Sequence, residues 1–158
     1  MALAEAESLN EALEQLLRTS LVQIGPSSLD DLLGPERPLG EFGARIRACH
    51  AFGLIADSEL RQLHLIRLIR NDFAHSSVTE TPSFDMPSIK KRCLELPPAD
   101  FPLDGLDLSK PSDRFHGACA FLLFVLIARS LSSRRVTAPP PLTASDLRAL
   151  EQMSEAAS

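Results

Sequence analysis

Between residues 64 and 75 the chain reads His64-Leu65-Ile66-Arg67-Leu68-Ile69-Arg70-Asn71-Asp72-Phe73-Ala74-His75. Arginine can stabilise charge that develops on a phosphate, and histidine can move a proton near neutral pH. On a helix of 3.6 residues per turn, His64, Arg67, Asn71 and His75 recur at i, i+3, i+7 and i+11 and form one stripe. Leu63, Ile66, Ile69 and Phe73 form an adjacent apolar stripe, and Arg70 falls inside that apolar sector. A charge in such a position is costly unless it is paired or faces a cavity or a subunit boundary.

Three chemistries fit this set. In the architectural one, Arg70 pairs with a carboxylate such as Glu41, Asp72 or Glu59. Asn71 and His75 then tie the helix end to the loop that follows. In the catalytic one, Arg70, Asn71 and His75 cleave RNA without a metal, with His75 as general acid or base. Arg70 and His75 are about 140° apart on a continuous helix, so they converge only if the helix breaks near Ala74 or two subunits combine their sites. In the third, His64, Arg67, Asn71 and His75 border a pocket for a small molecule or peptide. The four histidines, His50, His64, His75 and His116, have no metal-ligand spacing, and neither a metal nor a cofactor is expected.

The elements that must position these residues are helical. Leu9, Leu13, Leu16, Leu17, Leu21 and Ile24 make one apolar stripe that Gly25-Pro26 should end. Ser27 or Ser28 can cap a short helix carrying Leu29, Leu32 and Leu33. A third helix after Pro38 sets Phe42, Ile46, Cys49 and Gly53 on one side. Asp57 or Ser58 can cap the helix that carries the polar set. Asp85 and Pro87 start a short helix with Ile89 and Cys93 inward. Residues 97–111 read as a long surface connection anchored by Phe101, Leu103 and Leu106. Ser112 caps a last major helix, apolar nearly all round, which belongs at the centre. The expected fold is all-α, an irregular bundle around this central apolar C-terminal helix. One domain spans residues 1–136. Residues 137–158 form a Pro-rich breaker and a weakly helical tail through Leu147, Leu150 and Met153.

Composition narrows the function classes. The chain has 158 residues, 44% hydrophobic and 23% charged, which suits one globular domain. It has no Trp and no Tyr, which disfavours stacking platforms for single-stranded nucleic acid. A net charge of -5 repels phosphate backbones. Three widely spaced cysteines, Cys49, Cys93 and Cys119, form no CxxC pair and suit a reducing compartment. The N-terminus lacks the basic start of a secretory signal. The longest apolar run, Gly117 to Ala128, is shorter than the roughly 20 residues a membrane span requires. A cytoplasmic location away from membranes is expected.

Several ordered blocks are similar to a known family. They are Pro38-Leu39-Gly40-Glu41-Phe42-Gly43-Ala44-Arg45-Ile46, then Ala51-Phe52-Gly53-Leu54-Ile55, then Leu63 to His75. Ser83-Phe84-Asp85, Lys91-Arg92-Cys93 and Arg114-Phe115-His116-Gly117-Ala118-Cys119 continue the likeness. Together they resemble the mannitol operon repressor family, the MtlR-like proteins of bacteria, over roughly residues 9 to 130. The resemblance implies an all-helical fold and a role in transcription regulation. The spacing of Arg70, Asn71 and His75 also resembles the Arg-x4-6-His signature of HEPN domains, helical domains that include dimeric ribonucleases.

The residues themselves do not suggest DNA reading. No helix-turn-helix with a polar recognition helix occurs, and the basic clusters are only Lys90-Lys91-Arg92 and Arg134-Arg135. The expectation is a non-enzymatic regulator that acts through a protein partner, as a homo-oligomer and without direct DNA binding. RNA is a partner only under the HEPN-like ribonuclease alternative.

Overall fold

The computed structural model describes residues 2–23, 25–75, 81–98, 105–141 and 143–156. Seven helices follow in order: α1 (Ala2–Ser20), α2 (Pro26–Leu33), α3 (Phe42–Ala51), α4 (Asp57–His75), α5 (Pro87–Glu95), α6 (Pro111–Ser132) and α7 (Ala144–Ala156). No strand occurs among the described residues, and the all-α bundle expected from the hydrophobic periodicity is what forms.

The packing follows the apolar stripes. Leu9, Leu13, Leu16 and Leu17 of α1 are buried against α6, and this is the most extensive helix pair. α3 and α4 pack on α1 and on each other, and α5 bridges α4 and α6. Helix α6 therefore touches α1, α4 and α5, the place expected for it, but it is not fully enclosed. Phe115, Ala118, Cys119, Leu122 and Leu126 point inward, while Phe124, Ile127 and Leu131 are exposed. The whole helix has 22 residues and is apolar enough to cross a membrane by length and composition alone. The uninterrupted apolar run inside it understates that length. Burial of its inner face against α1 accounts for much of its hydrophobicity.

The helix ends depart from the expected caps. Gly25-Pro26 does not close α1. Gly25 is the N-cap of α2 with φ −55, and Pro26 opens that helix, where its missing N–H is no loss. Neither Ser27 nor Ser28 caps α2. Ser112 is likewise not the cap of α6; Lys110 holds that position and Pro111 starts the helix. At the start of α4 the Ala56 N–H donates to Glu59 Oε2 at 2.7 Å, half of a capping box. Asp57 instead accepts from His50 Nε2 at 2.7 Å. Gly53 closes α3. Its φ of 69° lets Leu54 N donate to Cys49 O and Gly53 N to His50 O, closing α3 in a Schellman turn.

Leu106 is half-buried in the connection before α6. Its proposed companions Phe101 and Leu103, like Ile24, lie outside the described residues. In the tail, Thr143 and Asp146 cap α7 reciprocally, and Met153 is exposed. The side chains of Leu147 and Leu150 lie outside the described residues.

A buried arginine joins the first three helices. Arg45 is 5% exposed. Its Nη2 donates to Leu33 O at 2.7 Å and pairs with Glu14 Oε2 at 2.6 Å. Its Nη1 donates to Asn10 Oδ1 at 2.9 Å and its Nε to Leu39 O at 2.9 Å. One cation thus satisfies α1, the last carbonyl of α2 and the turn that leads into α3. Gly40, at the end of that turn, admits no side chain, because a Cβ would collide with the Gly34 carbonyl. Arg45→Met should destabilise the fold by roughly 3 kcal/mol, since Glu14 and two carbonyls lose a charged donor inside the protein. Arg18→Met, which removes a more exposed pair, should cost less than about 1 kcal/mol. Urea unfolding of both variants measures this; equal costs would refute the role given to Arg45.

Candidate functional site

Helix α4 carries the polar set, and the structure divides it. Arg67, Arg70 and Asn71 open onto one cleft of about 360 Å³. Its other walls come from Ala6, Glu7 and Asn10 of α1 and from Gly40 to Gly43 at the start of α3. His64 lies one turn before Arg67, half-buried and outside the cleft lining. His75 is the last residue of α4, is exposed, and does not line the cleft. The helix runs unbroken through Ala74, so one chain does not bring Arg70 and His75 together.

The carboxylates expected beside Arg70 are engaged elsewhere or stand off. Asp72 pairs with Arg92 and so holds α5 to α4. Glu59 pairs with Arg129 Nη2 at 2.8 Å and so holds α6 to the start of α4. Glu41 is exposed at the cleft rim and forms no ion pair with Arg70. Arg70 donates from Nη1 to Asn71 Oδ1 at 3.3 Å. Its place in the apolar sector of the wheel is explained by the cleft, which that side of α4 faces between α1 and α3.

Arg67 is less satisfied still. Its side chain crosses the first turn of α3, where a Cβ on Gly43 would sit 3.4 Å from Arg67 Cδ and 3.5 Å from Arg47 Nη1. Its Nε is buried and has no hydrogen-bond partner among the described residues. A buried N–H without a partner is rare and costs about 1–3 kcal/mol.

His64 registers the resulting field. Burial lowers its pKa from the ordinary value, and the positive charges of Arg67 and Arg47 lower it further. No group of three or more metal-ligating side chains occurs among the described residues. His50 pairs with Asp57, and His116 Nδ1 with Glu5 at 2.7 Å, which ties α6 to α1. The cysteines are all buried and unpaired. Burial pushes Cys49 up to about 12 and Cys93 up to about 11, and raises Cys119 too, so none is poised as a nucleophile.

No family model, no curated protein and no solved structure matches the chain. The site must therefore be argued from its own geometry.

Sequence reasoning found the α4 side of the cleft and missed the rest. Glu7, Asn10, Gly40 and Gly43 come from other elements, and no local spacing joins them to α4. Arg45 did leave a signal. It sits among Phe42, Ile46 and Cys49 on the inward face of α3, the same wheel position that drew attention to Arg70 on α4.

The pH response follows from His64. Its folded pKa lies below its unfolded value of about 6.5. As pH falls below that value the unfolded chain takes up the proton first, so stability is lost progressively until the folded pKa is passed. His64→Gln removes this component. Between pH 7.5 and 5.5, wild type should lose more stability than the variant in parallel urea titrations. A constant difference between them would contradict the assignment.

Proposed function

We propose that the chain is a cytoplasmic, non-enzymatic regulatory domain of the MtlR-like kind, which acts by contact with protein rather than by reading DNA. The observation that carries this reading is the outer face of α6. Ala120, Phe124, Ile127 and Leu131 recur at spacings of four, three and four, with Phe124 66%, Ile127 48% and Leu131 85% exposed. Apolar side chains at that spacing suit packing of helix against helix, and a second copy of the chain is the simplest partner.

The basic clusters support the DNA-independent part. Arg92 is engaged by Asp72, and Lys90 and Lys91 sit on α5, a helix of 9 residues. Arg134 and Arg135 follow α6 in irregular chain. Neither cluster has the form of a groove-reading helix. Light scattering on the purified protein should report a dimer or higher oligomer. Ile127→Glu with Leu131→Glu should return a folded monomer. A monomeric wild type at high concentration, or tight sequence-specific DNA binding in a gel shift at physiological salt, would overturn the proposal.

The second reading is a HEPN-like ribonuclease that uses Arg70, Asn71 and His75. It is favoured by Arg70 and Asn71 sharing one cleft with Arg67, and it needs His75 from another copy. RNA incubated with wild type and with His75→Ala separates the two readings. Decay at background in both removes the nuclease.

A further inference from the structure

The arginines of this protein fall into four groups. Arg18, Arg37, Arg45, Arg92 and Arg129 each pair with a carboxylate. Arg114 donates to the Leu94, Leu96 and Leu108 carbonyls and so closes the end of α5 against α6. Arg47, Arg61, Arg134, Arg135 and Arg148 are exposed to water. Among the described residues, Arg67 and Arg70 alone are partly withdrawn from solvent without an ion pair or a backbone-carbonyl partner, Arg70 donating only to the Asn71 side-chain amide, and they line the same cleft.

The two neighbouring clefts differ in how their charges are used. The cleft between α1 and α2 is lined by Glu7, Glu11, Glu14, Asp30 and Asp31, and there Arg18, Arg37 and Arg45 are all ion-paired. The cleft at α3 and α4 holds Arg67 and Arg70 beside Glu7 and Glu41, and among the described residues neither arginine is in ion-pair contact with a carboxylate.

We propose that the cleft between the start of α3 and the middle of α4 is a receptor for a small phosphomonoester. Arg67 and Arg70 supply two guanidinium forks, the geometry that recognises phosphate oxygens in pairs of hydrogen bonds. The Nε–H of Arg67 is buried against the start of α3 and has no partner among the described residues. Helix α3 begins at the same place, and its N-cap Glu41 makes no side-chain cap. The Phe42 and Gly43 N–H groups, the first two of that helix, add donors and the positive end of its dipole. A dianion matches this charge better than a carboxylate does.

The shape of the cleft favours a small ligand over a chain. At about 360 Å³ it exceeds a bare phosphate and lies in the lower range of small-molecule pockets. Asn10, Asn71, Glu7 and Glu41 line the remainder and suit a hydroxylated body. Glu7 and Glu41 are exposed at the rim, where their carboxylates can accept hydrogen bonds from hydroxyl groups. The proposal is independent of the oligomeric contact on α6.

Calorimetric titration with glycerol 3-phosphate, inorganic phosphate and glycerol tests it. Glycerol 3-phosphate should bind, inorganic phosphate more weakly, and glycerol not at all. Arg67→Gln and Arg70→Gln should each weaken binding by about tenfold or more, as loss of a charged hydrogen bond does. Arg61→Gln, an exposed arginine of the same helix, should leave it unchanged. Urea unfolding checks that each variant is folded. His64 supplies a local readout: saturation with glycerol 3-phosphate screens Arg67, whose charge lowers the His64 pKa, and should raise its NMR titration midpoint in wild type but not in Arg67→Gln. No heat with either phosphate compound, equal binding by folded Arg67→Gln, or cleft-dependent binding of an RNA oligonucleotide that glycerol 3-phosphate cannot displace would each overturn the proposal.

Discussion

The fold turns on a single buried cation. Arg45 occupies a position where every neighbour on its own helix face is apolar, and it is tolerated there because four acceptors from three elements meet it. A guanidinium can satisfy them together because its donors are fixed in one plane. Arg45 thereby holds the end of α2, the turn through Leu39 and the body of α1 against α3. Gly40 completes the arrangement by letting the turn pass within contact of the Gly34 carbonyl. The start of α3 is fixed relative to α1 by these contacts, and that placement creates the cleft that α4 borders.

Other charged contacts repeat the device at lower burial. His116 with Glu5, Arg129 with Glu59, Arg92 with Asp72 and the Arg114 clamp each join helices that the apolar core already packs. Such pairs add little stability when solvated, but they fix register between helices. Against this background Arg67 and Arg70 stand out physically. The protein desolvates them in part, and among the described residues neither is in an ion pair. Glu14, Asp30 and Asp31 are held by Arg18, Arg37 and Arg45, while Glu7 accepts from Asn10. Partly desolvated guanidinium groups without an ion pair are an arrangement that an exogenous anion completes.

The sequence made the helices legible because their apolar positions recur at helical spacing. Leu9 to Leu17, Leu63 to Ile69 and Ile89 with Cys93 are buried as that spacing implies. Caps were less legible. Serine near a helix start is an N-cap candidate wherever it occurs, and at Ser27 and Ser112 an adjacent proline sets the start instead. The outer face of α6 was obscured for a different reason. A helix apolar all round reads as central, and composition cannot tell a face covered by its own chain from one exposed to solvent. Arg70 illustrates the limit on the site. The helical wheel established that it points away from bulk solvent, but whether it meets a carboxylate or a cleft depends on α1 and α3, which are distant in sequence.

Arg67 and Arg70 are held by the Arg45-centred frame at one cleft, with no ion pair among the described residues. The arginine Nε–Hε spectrum of ¹⁵N-labelled protein addresses this arrangement directly. In the free protein the Arg45 resonance should be strongly protected from exchange by its bond to Leu39, while that of Arg67 should carry no hydrogen-bond shift. Addition of a phosphomonoester should move and protect the Arg67 signal and leave Arg45 unchanged. An Arg67 signal already shifted and protected in the absence of ligand, and indifferent to the phosphomonoester, would show that the protein supplies its own partner and would contradict the account.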